Sequence, residues 1–120
     1  MILLDTNAVI WLDARHRRTK PLERLARRYV SPATLLELEV LVEARKIRLK
    51  SSIDDLVSDE LWLVDEPPAR GWFDEARSLP WTRDPFDRLI VAHALYRGWR
   101  LATADEQILD RLGPTRTVEL

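Results

Sequence analysis

Acidic side chains stand in this chain at points where an apolar stretch gives way to polar residues. Asp5 follows Met1–Leu4, Glu37 sits within an apolar-rich helical pattern, Asp84 and Asp87 open another, and Asp105 follows Arg100–Thr103. Carboxylates gathered from such distant segments repel one another unless a cation lies among them. Hard divalent ions meet that need, and Mg²⁺ or Mn²⁺ suits carboxylate and water ligands. One or two such ions activate a water, orient a phosphodiester and stabilise the leaving oxygen, so no nucleophilic side chain is required. The chain has no cysteine and no Ser-His-Asp pattern, and its two histidines, His16 and His93, are too isolated for a histidine metal site. His93 reads as packed within its helix and His16 as solvated.

Each acidic residue also admits a plainer role. Asp after a strand commonly caps the next helix, which would account for Asp5. Asp84 with Asp87 three residues on resembles a capping box, and acidic groups suit a helix N-terminus. One of the pair can cap while the other reaches a site. At about 100° per residue, Glu39, Glu43 and Lys46 form one polar stripe. Glu37 falls opposite, among Ala33, Thr34, Val40, Leu41 and Ala44. A carboxylate on the apolar side must be paired with a cation such as arginine, protonated, or bound to a metal.

The elements that would position these groups follow from periodicity and punctuation. Met1–Leu4 reads as a buried parallel strand ending in a turn at Asp5–Asn7. Pro21 to Tyr29 reads as a short amphipathic helix, with Tyr29 and Val30 as a brief strand. Ser31-Pro32 starts a helix running to about Lys46. A second helix covers Ile53 to Glu60, a strand covers Leu61 to Val64, and a helix covers Arg70 to Leu79. Asp84-Pro85 starts a helix to Arg97 that Gly98 stops. Arg100–Thr103 is a strand, Glu106–Leu112 a helix, and Thr117–Leu120 an edge strand. Alternating strands and helices predict an α/β fold with a parallel sheet covered on both faces. In such sheets ligands bind beyond the carboxyl ends of the strands. If the strands before Asp5 and Asp105 are parallel neighbours, both carboxylates share one crevice.

With 120 residues, 46% of them hydrophobic and 32% charged, the chain reads as one globular domain, residues 1–120. The absence of cysteine fits a reducing compartment. Met1–Leu4 meets Asp5 too early for a signal peptide, and no apolar run approaches a membrane span, so the expected location is cytoplasmic. A net charge of −1 does not announce a nucleic-acid binder. Yet Arg15, Arg17, Arg18, Lys20, Arg24, Arg27 and Arg28 face only Glu23, which reads either as a phosphate-binding patch or as a solvated helix face. Trp11, Leu12, Trp62 and Trp72 are candidates for exposed apolar surface, although tryptophan is more often core.

Four segments taken in order resemble the motifs of PIN domains, and most closely those of VapC-type toxins. They are Leu3-Leu-Asp-Thr-Asn7, Ser31-Pro-Ala-Thr-Leu-Leu-Glu37, Asp84-Pro-Phe-Asp-Arg-Leu-Ile-Val-Ala92 and Thr103-Ala-Asp105. The resemblance covers nearly the whole chain and implies a three-layer α/β/α sandwich with a mainly parallel sheet. It implies Mg²⁺- or Mn²⁺-dependent endonuclease activity on RNA, with Asp5, Glu37, Asp87 and Asp105 as the acidic ligands. Thr6, Asn7 and Thr103 match polar residues lining such sites. Asp84 belongs to a subgroup's Asp-Pro-Phe-Asp-Arg motif and either caps or contacts metal through water. Homodimers and a cognate VapB-type antitoxin are the implied partners. Arg15, Arg17, Arg18 and Lys20, with Arg88, are the candidate RNA contacts.

Other functions fit less well. Haloacid-dehalogenase-like phosphatases place a nucleophilic Asp after the first strand but want a second Asp where Asn7 stands, and the expected later lysine is missing. A binding module with a decayed site should have lost a ligand. A nucleotide-binding domain should carry a Gly-x-Gly-x-x-Gly or Walker loop, and neither is present.

Overall fold

In a computed structural model, which describes residues 1–25, 27–58 and 60–120, five short strands form one sheet with all neighbours parallel. They are β1 (Ile2–Leu4), β2 (Arg28–Val30), β3 (Leu63–Val64), β4 (Arg100–Thr103) and β5 (Thr117–Glu119). Their spatial order is β3-β2-β1-β4-β5. The chain therefore builds outward from β1 to one edge, then returns to β1's other side and builds to the opposite edge. β1 and β4 flank the point where that direction reverses, with Leu4 level with Ala102. Crevices at such points are the natural ligand sites of open parallel sheets.

The two faces follow from the period of a strand. Ile2, Leu4 and Ala102 point into one buried cluster with Val9, Leu22 and Leu38, while Leu3 and Leu101 point into another with Trp72, Ile90 and Val91. Helices α1 (Thr6–Asp13), α2 (Pro32–Glu43) and α3 (Ile53–Val57) contribute to the first layer. Helices α4 (Ala69–Arg77), α5 (Pro85–Arg97) and α6 (Glu106–Leu112) contribute to the second. The result is the expected α/β/α sandwich, its sheet wholly rather than mainly parallel.

Several boundaries differ from expectation for identifiable reasons. The helix expected over Pro21–Tyr29 is instead a 3₁₀ helix at Arg17–Leu22, with Pro21 inside it. Its buried residue Leu22 anchors it to the core, and β2 begins at Arg28, which leaves no length for another helix. The expectation also covers Ala26, which lies outside the described residues. Helix α2 stops at Glu43 rather than near Lys46 because Arg45 takes a left-handed conformation (φ 57°). The Lys46 N–H then returns to the Leu41 carbonyl at 3.0 Å. The helix expected to reach Glu60 ends at Val57, and Asp59 lies outside the described residues. Strand β3 holds only Leu63 and Val64, so Leu61 is not part of it.

Trp62 and Trp72 are buried, not surface candidates. Their indole N–H groups donate to the carbonyls of Leu56 and Leu89, both at 2.7 Å. Trp11 and Leu12 are half-buried. No described helix is long and apolar enough to cross a membrane.

Candidate metal centre

Three of the acidic residues begin helices, and each uses one oxygen to do so. Asp5 Oδ1 accepts the Ala8 N–H at 2.8 Å and caps α1. Asp84 Oδ1 accepts the N–H groups of Phe86 and Asp87 at 2.8 and 3.1 Å and caps α5. Asp105 Oδ1 accepts the Ile108 N–H at 3.0 Å and caps α6. Capping and site-building are thus not alternatives here, because each carboxylate has a second oxygen to offer. Since α1 and α6 follow adjacent parallel strands, their starts lie side by side at the carboxyl ends of the sheet.

Glu37 comes from the second turn of α2, whose start is capped by Ser31. The polar-stripe argument holds in part. Ala33 and Thr34 are buried, but Val40 and Ala44 are exposed, and Glu37 is half-buried at the boundary between the faces. Among the described residues it has no arginine partner; the Thr6 hydroxyl donates to its carboxylate. Thr6 Oγ1 also lies 3.5 Å from Thr34 Oγ1, too long for a strong bond.

Asp5, Glu37, Asp87 and Asp105 line one crevice of about 90 Å³ with Thr6 and Asn7, walled by Leu41 and Ile108. Carboxylate oxygens of Glu37, Asp84 and Asp87 lie within 4.8 Å of one another. Burial grades across the group: Asp5 is 9% exposed, Glu37 and Asp87 are half-buried, and Asp84 and Asp105 open to solvent. Thr103, fully buried behind them, accepts the Asp105 N–H at 3.0 Å and hydrogen-bonds to the Asp5 carboxylate.

This crowding perturbs the acids. Burial pushes the Asp5 pKa up to about 6, with Asp105 and Glu37 adding to it, against hydrogen bonds from Thr103 and the Ala8 N–H. Burial also leads for Asp87, raised to about 7 with help from Asp84, Glu37, Asp105 and Asp5. Glu37 is raised by burial and by Asp84, partly offset by the Thr6 bond. Among the described residues no lysine or arginine forms a salt bridge with any of the five acids. An all-oxygen donor set that lacks a cation of its own suits a hard divalent ion.

The basic residues are divided. Arg88 lies in the first turn of α5 beside Asp87, its Nε donating to the Thr82 carbonyl at 2.7 Å. Arg15, Arg17 and Lys20 line a separate groove with Arg28 and Leu61, at the amino ends of the strands, and Arg18 stacks 5.1 Å from the Trp11 ring centroid. Helix α1 runs back from the crevice for 8 residues, about 12 Å at 1.5 Å per residue, before reaching that groove. The fold does not bring this group to the acidic residues. Sequence reasoning named Leu41 beside Glu37 but not as a wall of the site, and passed over Ile108, one helical turn from Asp105.

The model of a family described as PIN domain matches residues 2–113. Ribonuclease VapC22 from Mycobacterium tuberculosis is 26% identical over 121 residues, spanning 94% of this chain and 93% of that protein. Among solved structures, a toxin–antitoxin complex from Klebsiella pneumoniae matches with a TM-score of 0.70 at 20% identity over 100% of both chains. VapBC2 from Rickettsia felis, bound to a DNA fragment from their promoter, matches at 0.63 and 17% identity over 99% of this chain and 98% of that one. At these identities the structural likenesses speak for the fold.

Proposed function

The chain belongs to the PIN domain family, and from that premise we propose that it is a metal-dependent endoribonuclease, the toxin of a VapBC-type toxin–antitoxin pair. The observation that carries this reading is the convergence of carboxylates from four separate segments with no basic partner among the described residues. Asp5, Glu37, Asp87 and Asp105, with Asp84 at the outer edge, would hold one or two Mg²⁺ or Mn²⁺ ions. When bound, such ions supply activation of water and charge neutralisation at a phosphodiester. The relative from Mycobacterium tuberculosis, described as a ribonuclease, supports RNA as the substrate.

The chain's own groups prepare that chemistry. Helix starts fix one oxygen of Asp5, Asp84 and Asp105, so the other oxygens are oriented before any ligand arrives. Thr6 orients Glu37, and Thr103 links Asp5 to the Asp105 backbone. Leu41 and Ile108 limit the water around the acids. A crevice of about 90 Å³ is small beside the roughly 300 Å³ or more of ordinary ligand pockets, so groups at its mouth are also within reach of the RNA backbone. Hydrolysis in line would leave 5′-phosphate and 3′-hydroxyl ends.

Matches to toxin–antitoxin complexes support a VapB-type antitoxin as partner. The exposed side chains Leu36 and Val40 give α2 an apolar outer surface for an antitoxin or a second copy in a homodimer. A cytoplasmic location fits both partners.

The test compares RNA cleavage by wild type and Asp5→Asn with Mg²⁺, Mn²⁺ or EDTA. Cleavage should require metal and fall at least about 100-fold in the variant, because losing even an outer partner of a metal ligand costs about 10–100-fold. Equal behaviour of the two proteins on a broad RNA pool would sink the proposal.

A further inference from the structure

Because the crevice is small, groups at its rim are candidates for substrate selection. The segment Trp81–Asp84 joins the starts of α5 and α6, the helices that bring Asp87 and Asp105 to the site. It is tied at both ends and in the middle. The Trp81 carbonyl accepts the Gln107 side-chain N–H at 2.8 Å, the Thr82 carbonyl accepts Arg88 Nε at 2.7 Å, and Asp84 caps α5. Gln107 is only two residues beyond Asp105. The segment is therefore held in place without a ligand.

Its side chains make an unusual surface for a protein of net charge −1. Trp81 is half-buried, packed against the core cluster below, and the Arg111 guanidinium lies 5.9 Å from its ring centroid. Arg83 is exposed and has no hydrogen bond or ion pair among the described residues. An indole with a guanidinium over it and a second cation adjoining is a pairing with which proteins hold unpaired nucleotides. Bases stack on aromatic rings and guanidinium planes, and the cations meet phosphates.

We propose that Trp81, with the Arg111 guanidinium over its ring and Arg83 two residues on, forms a ledge on which an unpaired nucleobase next to the scissile bond stacks. This rests on the nuclease reading above and deepens it: the ledge rather than the Arg15–Lys20 group holds the nucleotide beside the cut. Duplex RNA keeps its bases stacked inside the helix and gives the ledge nothing to grip.

The experiment measures binding of a labelled single-stranded oligoribonucleotide that the wild type cleaves, with Ca²⁺ replacing Mg²⁺ to slow turnover. Trp81→Leu should weaken binding about 10-fold, and Trp81→Phe should restore most of it. Replacing Arg15, Arg17, Arg18 and Lys20 together by glutamine should cost less than Trp81→Leu. An abasic nucleotide beside the cleaved bond should weaken wild-type binding by a similar factor, yet leave Trp81→Leu binding unchanged. If Trp81→Leu misfolds, as judged by circular dichroism, the Phe variant and the abasic oligonucleotide on wild type decide. No loss on removing the base overturns the ledge. A wild type that cleaves RNA but is indifferent to Trp81 overturns the ledge alone. A wild type that neither binds nor cleaves single strands overturns the nuclease reading and the ledge with it.

Discussion

Without metal, the Asp5 carboxyl at about 6 and the Asp87 carboxyl at about 7 resist ionisation, chiefly because burial removes the water that would solvate their charges. A carboxyl whose folded pKa lies above its unfolded value binds its proton more tightly in the folded state. It stabilises the fold at low pH, and that stabilisation is lost as pH rises through the folded pKa. For Asp5 the window runs from 3.8 to about 6, which at 1.36 kcal/mol per unit makes the penalty at pH 8 about 3 kcal/mol. Asn caps a helix as well as Asp does, so Asp5→Asn removes the penalty and keeps the start of α1. In EDTA at pH 8 the variant should therefore melt well above wild type, with the gap shrinking toward pH 4; calorimetry at both pH values checks this. Saturating Mg²⁺ or Mn²⁺ should raise the wild-type midpoint at pH 8 and leave the variant nearly unmoved. A wild type as stable as the variant in EDTA at pH 8 would refute the electrostatic account.

At the scale of elements, a polar cluster ties the end of β3 to α5. Asp65 accepts His93 Nε2 at 2.7 Å and Arg97 Nε and Nη2 at 2.9 and 3.1 Å. Against the cost of burial, Arg97 and His93 hold Asp65 below the usual carboxylate range. Burial keeps His93 below its ordinary value despite Asp65, so the neutral ring donates through Nε2, while buried Nδ1 has no partner among the described residues. Both folded pKa values are depressed. Their stabilisation is thus present above the unfolded values and lost as pH falls, His93's below about 6.5 and Asp65's below about 3.8. Asp65→Ala should cost about 2 kcal/mol in a urea titration at pH 7, the scale of a hydrogen bond to a charged group. A loss within a few tenths would mean that the cluster is mere decoration.

The contrast between this cluster and the caps also explains what could be read from sequence. Elements whose ends are set by local chemistry were legible: β1 before Asp5, α5 between Asp84-Pro85 and Gly98 (φ 69°), and α6 up to Gly113. Elements whose extent is set by distant packing were not, as with the 3₁₀ helix anchored by Leu22 and the shortened α3. The acidic group was legible because Asp5 and Asp105 follow strands, Asp84 and Asp87 open a helix, and Glu37 falls opposite the polar stripe of its own helix. Asp65 gave no signal, because its partners His93 and Arg97 lie some thirty residues away, although their spacing of four puts them on one helix face. The Arg15–Lys20 group reads as a phosphate-binding patch or a solvated face; the fold puts it away from the acids, which composition could not show because it reports charge but not which end of the sheet carries it.

For the molecule as a whole, the all-parallel order puts the acidic crevice at the carboxyl end of the sheet and the Arg15–Lys20 groove, which also holds Asp13, Glu23 and Glu60, at the other, while the total charge stays near zero. On the nuclease reading proposed above, long-range attraction for RNA would be weak, and binding would depend on cations close to the cut. Neutralising one phosphate of a single strand contributes about −0.7 to the slope of log affinity against log salt. Arg83, Arg88 and Arg111 together should give a slope of roughly −2. Filter binding between 50 and 200 mM salt checks this, and a flat dependence would remove the phosphate contacts.

The double duty of Asp5, Asp84 and Asp105 also bears on how such a chain changes over generations. A change to asparagine keeps each helix start and discards only the charge, so the product is silent but correctly shaped. It would go on occupying whatever partner recognises that shape, competing with active copies. A change to valine discards the helix-start bond as well, at about 1 kcal/mol for each cap. Loss of the charge thus has two forms here, one that keeps the shape in full and one that holds it less firmly.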